Sequence, residues 1–220
     1  MPKSVKLIKS GDSQQLKIEN VENQNPGSGQ VLVKNIVAEM NEDDAFVNVP
    51  SDKQFIVPGY SASADILEVG ANVTGFRPGD SVVYFSKNMA CYQENVIVNA
   101  EDLIAIPEEI YQKTAAAAYF SGMMAHSLLK RVYIVDSKSI VLIHNVSSGI
   151  GYILAQWAND LGAIVIGSVD SDNKKTFALE CGCRKVVNYQ SENWEQEIIE
   201  FTKGYGVNII YDSLGGTIHD

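Results

Sequence analysis

With 220 residues and a hydrophobic content of 45%, the chain has room for one large domain or two modest ones, each with a packed core. Its formal net charge of -10, without any lysine or arginine cluster, argues against nucleic acid as a partner, because nothing would displace the counterions of a phosphate backbone. The opening MPKSVKLIKS has no apolar targeting core and no segment reaches the ~18 apolar residues of a membrane span, so a cytoplasmic protein is expected.

Residues 1 to about 100 read as a β-rich unit with frequent turns. Val31-Leu32-Val33 follows the turn-forming Pro26-Gly27-Ser28-Gly29, and Ile66 to Val69 leads into VTGFRPGDSVV. There Pro78-Gly79 suits the centre of a type II turn, releasing Ser81 to Phe85 as a strand. Val96 to Val98 is another short strand, and Thr114 to Leu129 turns helical in composition. The domain boundary is placed near Ala125, giving units 1–125 and 126–220. Three cysteines, Cys91, Cys181 and Cys183, form neither a disulfide framework nor a C-x-x-C motif, and read as reduced structural thiols.

The stretch from Ser139 to Asp170 organises the rest. An apolar run, Ile140 to Ile143, breaks into Asn145, Ser147, Ser148, Gly149 and Gly151, as a strand buried on both faces gives way to a tight loop. Ile150, Ile153, Leu154, Trp157, Ala158 and Leu161 then recur on one helical face, and Gly162 stands where a left-handed residue ends the helix. A second run, Ile164 to Val169, ends on Asp170. Such a strand, turn, helix, strand unit aims backbone N–H groups and the positive end of a helix at a pyrophosphate. Measured against G-x-G-x-x-G, Val146 and Ser148 occupy the first two glycine positions and only Gly151 remains, while Asp170 lies about 20 residues on, at the usual place of a ribose-binding acid. A purely structural βαβ unit is the other reading of the loop.

After Asp170 the alternation continues. Asn173 to Glu180 is expected as a helix, Lys185 to Tyr189 as a strand, Trp194, Ile198 and Phe201 as one helix face, and Val207 to Tyr211 as a fourth strand. Alternation of this length predicts a parallel, doubly wound sheet, here with fewer strands than a complete dinucleotide fold.

The segments V-G-A-N-V-T-G-F-R-P-G-D-S-V, S-S-G-I-G-x-x-x-x-Q-W-A and Y-D-S-L-G-G together resemble the medium-chain dehydrogenase/reductase superfamily, and within it the zinc-free NADPH:quinone oxidoreductase branch. The resemblance implies an α/β protein with a GroES-like N-terminal domain and a Rossmann domain, here C-terminally short. It also implies a homodimer, or a complementing C-terminal chain, and hydride transfer from NADPH, with NADH as the alternative, to a quinone or enone. A non-catalytic or split remnant that binds a nucleotide or a partner chain is the rival reading. By the same resemblance, Asn41 with its neighbours through Asp44 lies beside the nicotinamide, and Gly149-Ile150 carries the pyrophosphate. Lys174 and Tyr189 hold the adenosine 2′-phosphate, and Leu214 gives a backbone contact. The zinc-ligand positions of related alcohol dehydrogenases fall on Asn41 and Tyr60, neither of which suits that metal. Glu42, Asp43 and Asp44 read as a solvated acidic turn in preference to an acidic metal site.

Several positions depart from the family pattern. Ser61 and Ala64 replace the glutamate and second glycine of P-G-x-E-x-x-G, Phe46 an active-site tyrosine, Met124 a threonine, and Asp170 a glycine. Asp170 favours ribose hydroxyls and hence NADH, whereas Lys174 and Tyr189 favour NADPH. His144, at the tip of the first strand, reads as a loop histidine or a proton carrier; His126 and His219 are too scattered to form a relay with it.

Overall fold

The structure, a computed structural model, describes all residues except 12, 41–43, 45, 219 and 220. It divides into two compact units, Met1–Phe120 and Ser121–Asp220. The division lies within a helix, α1 (Gln112–Ser127), a few residues before the boundary expected at Ala125.

The first unit is antiparallel. Strands β1 (Lys3–Ser10) and β2 (Ser13–Asn20) form a hairpin that continues onto β4 (Phe55–Ile56) in the order β2-β1-β4. Strands β3 (Gln30–Ala38), β5 (Ser61–Val69), β6 (Ser81–Phe85), β7 (Asn95–Asn99) and β8 (Leu103–Ala105) form a second sheet in the order β7-β3-β5-β6-β8. Side chains alternate across each strand, so Val96 and Val98 of β7 go inward together and join Val31, Val33, Ile66, Val82 and Tyr84. Each aliphatic side chain buried there contributes about 1.5–3 kcal/mol relative to exposure. Between β5 and β6 the Asp80 N–H donates to the Arg77 carbonyl at 3.2 Å and Gly79 has φ 94°, the type II turn that Pro78-Gly79 predicts.

The second unit is a parallel sheet. Strands β9 (Ile140–Ile143), β10 (Ile164–Val169), β11 (Lys185–Asn188) and β12 (Ile209–Tyr211) lie in the order β11-β10-β9-β12. Helices α2 (Gly149–Asp160), α3 (Lys175–Glu180) and α4 (Trp194–Phe201) alternate with them. One face of the sheet presents Val141, Ile143, Val165 and Val169 to Leu154, Ala155 and Ala158 of α2 and Ala178 of α3; the other presents Leu142, Ile166 and Val187 to Ile198 of α4. Helix α2 ends as its sequence predicts. Gly162 has φ 86° and donates to the Asn159 carbonyl, while the Ala163 N–H reaches back to Ala158.

Four expectations need adjustment. The helix read from Asn173 begins as a 3-10 turn, Asp172–Lys174, before α3, because Asp172 and Ser171 hold their own neighbours through short side-chain bonds. The third strand of this sheet stops at Asn188, whose carboxamide accepts from the Gln190 N–H and turns the chain away. The fourth starts at Ile209, two residues late, since the Asn208 side chain accepts from the Ile140 N–H and its own N–H bonds the Ile140 carbonyl. Phe201 shares a face with Ile198 and Trp194 in sequence but remains substantially exposed at the last turn of α4.

Candidate functional site

In the order β11-β10-β9-β12, β9 is the first strand of this unit in chain order, and its two neighbours are reached in opposite directions. The crevice at the carboxyl ends of β9 and β12 is therefore the topological switch point, where open α/β sheets take their ligands. Two loops rim it: residues 144–149 after β9, and residues 212–216 after β12.

The first loop keeps the shape of a phosphate loop with unusual residues. Its sharp turn needs one positive φ, which falls on Asn145 (51°) instead of the next residue; asparagine tolerates that region because its short side chain bonds locally. Val146 can therefore be a valine. It is fully buried, its N–H donates to the Ser168 carbonyl at 3.0 Å, and its side chain lies on Gly167 of β10. A Cβ at Gly167 would stand 2.7 Å from Val146 Cγ1 and 2.9 Å from Cys183 Sγ. Ser148 sits at the N-cap of α2 with φ -83°, ordinary for any residue, and its hydroxyl makes no capping bond. The N–H groups of Gly149, Ile150 and Gly151 thus open the helix without intrahelical acceptors, at its positive end.

The two glycines of that first turn differ in what surrounds them. A Cβ on Gly151 would lie 2.6 Å from the Asn145 carbonyl oxygen and 2.9 Å from Val146 Cα, so Gly151 is required by the close approach of helix and loop. A Cβ on Gly149 would meet only Ser121 Oγ, at 4.0 Å. Among the described residues no atom lies closer than that to a Cβ at 149, so packing does not demand a glycine there. A diphosphate fits a cradle of this kind, which offers amide donors, positive helix dipole and no side chain in the way.

The residues that the family resemblance implies for the adenosine end lie about one strand away, where β10 stops. Asp170 and Lys174 are brought together there: Lys174 Nζ is 2.8 Å from Asp170 Oδ2, with side chains 42% and 41% exposed. Ser171 Oγ donates to Asp170 Oδ1 at 2.8 Å. The Lys174 ammonium, and after it the Ser171 hydroxyl, hold the Asp170 carboxyl below the usual carboxylate range. Tyr189 follows β11 on the same rim, its phenol pushed up by burial and then by the Asp170 charge. In the second loop the Asp212 carboxylate accepts from the N–H groups of Leu214 (2.8 Å) and Gly215 (3.2 Å), so Leu214 can offer a ligand its carbonyl but not its N–H. His144 is 3% exposed, with Nδ1 2.7 Å from Ser168 Oγ and its ring edge-on to Trp194. Held so, it is a packing residue under the loop.

In the first unit, Asn41, Glu42 and Asp43 lie outside the described residues, as does His219 in the second. Asp44 accepts a hydrogen bond from the Tyr92 hydroxyl at 2.7 Å; burial and then this carboxylate push the Tyr92 phenol well above its ordinary value. Tyr60 stacks on Phe85, and Phe85 on Phe120, with centroids 5.9 and 5.2 Å apart. Phe46 is 79% exposed and, with Leu7, Leu16 and Val47, lines an open cleft of about 590 Å³. The buried Ser61 hydroxyl donates to the Glu39 carboxylate, so a carboxylate from the end of β3 reaches the position whose motif glutamate is missing. Sequence reading missed that pair, since nothing in the spacing of residues 39 and 61 announces it. Among the described residues no three histidines, cysteines or acids gather as a metal site, and no helix is long and apolar enough to cross a membrane.

Comparison with known proteins places these features in a family. Residues 27–125 match the family model described as an alcohol dehydrogenase GroES-like domain, and residues 149–219 match the one described as a zinc-binding dehydrogenase. A 2-haloacrylate reductase of Burkholderia sp is 33% identical over 217 residues, covering 95% of this chain and 65% of that protein. The structure of Escherichia coli quinone oxidoreductase complexed with NADPH superposes with a TM-score of 0.91 at 27% identity, over 98% of this chain and 67% of the other. A mycobacterial quinone oxidoreductase superposes at 0.87 with 30% identity, over 100% and 69%. The chain thus spans about two thirds of the length of the relatives it matches, and just under that for the reductase.

Proposed function

The chain belongs to the medium-chain dehydrogenase/reductase superfamily, in its NADPH:quinone oxidoreductase branch, and from that premise we propose that it serves zinc-independent transfer of a hydride from NADPH, or NADH, to a quinone or enone. The observation that carries this reading is the contrast at the start of α2, where Gly151 is forced by packing and Gly149 faces open space beside amide donors. That the relatives' names are those of reductases favours an enzyme over a non-catalytic remnant.

In this reading the amides of Gly149 and Ile150 hold the pyrophosphate. Lys174 and Tyr189 meet the adenosine ribose 2′ position with Asp170 beside them, and the Leu214 carbonyl meets the cofactor further along the crevice. Asn41 and Asp44 serve the reacting end. The bound nicotinamide supplies the hydride and its electron pair; a proton from water completes the reduction of the acceptor. The residues of the chain contribute orientation, because donor and acceptor held at near-attack distance supply most of the rate without a strong acid or base. Residues 1–125 form the catalytic domain and 126–220 the dinucleotide domain of this reading, and a cytoplasmic homodimer completes it.

The test is direct. Titration with NADPH and with NADH, followed by quenching of the protein's tryptophan fluorescence, should saturate at micromolar ligand. Addition of a naphthoquinone or a cyclic enone should then consume NADPH absorbance. Absence of saturation with both dinucleotides, in protein that still unfolds cooperatively, refutes the reading.

A further inference from the structure

Resting on that reading, we propose that Asp170 is a specificity-determining residue that acts as a built-in counter-ion for Lys174 and so cancels the advantage a 2′-phosphate would gain from the lysine. The cation that should recognise the extra phosphate of NADPH is engaged by the chain's own carboxylate, four residues earlier and at 2.8 Å.

The geometry favours such cancellation. Asp170 directly follows the second strand of the βαβ unit, where the ribose 2′ position falls in dinucleotide folds, and Lys174 closes the 3-10 turn that comes next. Ser171 Oγ bonds the other carboxylate oxygen, which fixes the acid toward the lysine. Beside them Lys175 Nζ lies 2.9 Å from Asp172 Oδ1. From the neighbouring strand Tyr189 lies within electrostatic reach of both charges, and Asn188 donates to Asp172. Asp170 and Lys174 are both about two-fifths exposed, open enough for a ligand to approach. Because the two charged groups are only 2.8 Å apart, a 2′-phosphate that reaches one also meets the other. Attraction and repulsion offset each other, and NADPH and NADH bind alike.

This arrangement predicts a pattern that no purely structural ion pair gives. For a dianionic phosphate about 6 Å from a unit charge in water-like surroundings, each charge is worth about a factor of ten in affinity. Dissociation constants for NADPH and NADH, measured by fluorescence quenching at low ionic strength, give their ratio for the parent and each variant. Asp170→Asn should shift the ratio about tenfold toward NADPH, and Lys174→Ala about tenfold toward NADH. The double variant should return to within about threefold of the parent, since it removes one attraction and one repulsion together. Asp170→Ser serves as a second neutral replacement, and melting curves confirm that each variant folds. A ratio that Asp170→Asn and Asp170→Ser leave within about twofold of the parent, or a double variant that follows Lys174→Ala, overturns the proposal while the family reading stands. Failure of all folded variants to bind either dinucleotide overturns both.

Discussion

The two glycines that open α2 should answer very differently to one added methyl group. Gly151→Ala forces a Cβ to within 2.6 Å of the Asn145 carbonyl oxygen and 2.9 Å of Val146 Cα. Both obstacles are backbone, and Val146 is clamped from below, so neither can swing aside. Overpacking of this kind costs about 1–3 kcal/mol, and an unyielding neighbour places this site near the upper end. For a chain of this size that lowers the melting temperature by about 5–10 °C. Gly149→Ala meets nothing closer than 4.0 Å, and alanine is the better helix former by up to about 1 kcal/mol, so stability should hold or rise slightly. Its methyl group would nonetheless stand in the space assigned to the pyrophosphate. Loss of one charge-assisted bond from a loop amide, about 1.5–3 kcal/mol, weakens binding by roughly tenfold to a hundredfold. Melting curves together with NADPH quenching titrations measure both effects on the same samples. If Gly149→Ala binds NADPH as tightly as the parent, or Gly151→Ala melts at the parent temperature, the distinction between a packing glycine and a ligand glycine is refuted.

Ala90 is held at φ 84°, a region that costs an L-residue about 1–2 kcal/mol; against the added flexibility of glycine in the unfolded chain, Ala90→Gly should gain about 0.5–1 kcal/mol in urea unfolding. Asp136 and Asp170 both have carboxyls held below the ordinary range, the first by the Lys138 N–H and the Ser139 hydroxyl, the second by Lys174 and Ser171. A depressed folded value stabilises at pH above the unfolded carboxylate value near 4 and is lost as pH falls through the folded one, so the urea midpoint should be flat from pH 7 to about 5 and drop below about 4. Burial pushes the thiols of Cys91 and Cys183 up to about 12, and all three cysteines are buried. A colourimetric disulfide reagent at pH 7 should therefore find no fast-reacting thiol in the native chain and three after unfolding; a rapid native reaction contradicts the burial described.

Much of the second unit can be read from its residues because its strands are buried on both faces. Ile140 to Ile143 is an uninterrupted apolar run and Ile164 to Val169 one broken only by Gly167 and Ser168, and the structure begins and ends the strands at those residues. Gly162 and Pro78-Gly79 are equally legible, since each demands a backbone conformation that few residues supply. The N-terminal hairpin is not. Every residue of β2 is exposed, so SQQLKIEN carries no inward face to set a period. The first half of β5, Ser61-Ala62-Ser63-Ala64, is wholly buried yet small and half polar, and burial of small residues leaves no hydrophobic mark. At the candidate site, Asp170 and Lys174 read as opposing votes on the cofactor, although their spacing of four already allowed them to touch. In the folded chain they do. His144 reads in sequence as a loop histidine or a proton carrier; the bond to Ser168 that holds it joins residues 24 apart and has no local signature.

One small residue governs the crevice without bordering it. Gly167, mid-strand in β10, leaves the gap that Val146 fills, and through that peg the turn after β9 is pinned from beneath. The contour of the crevice proposed for a dinucleotide is therefore moulded by the underside of a neighbouring strand. Side chains along the rim, Ser147 and Ser148 among them, are at liberty to vary while the mould is kept. An evolutionary path or an engineering library that scans only the visible lip would then overlook the position whose enlargement reshapes the whole turn.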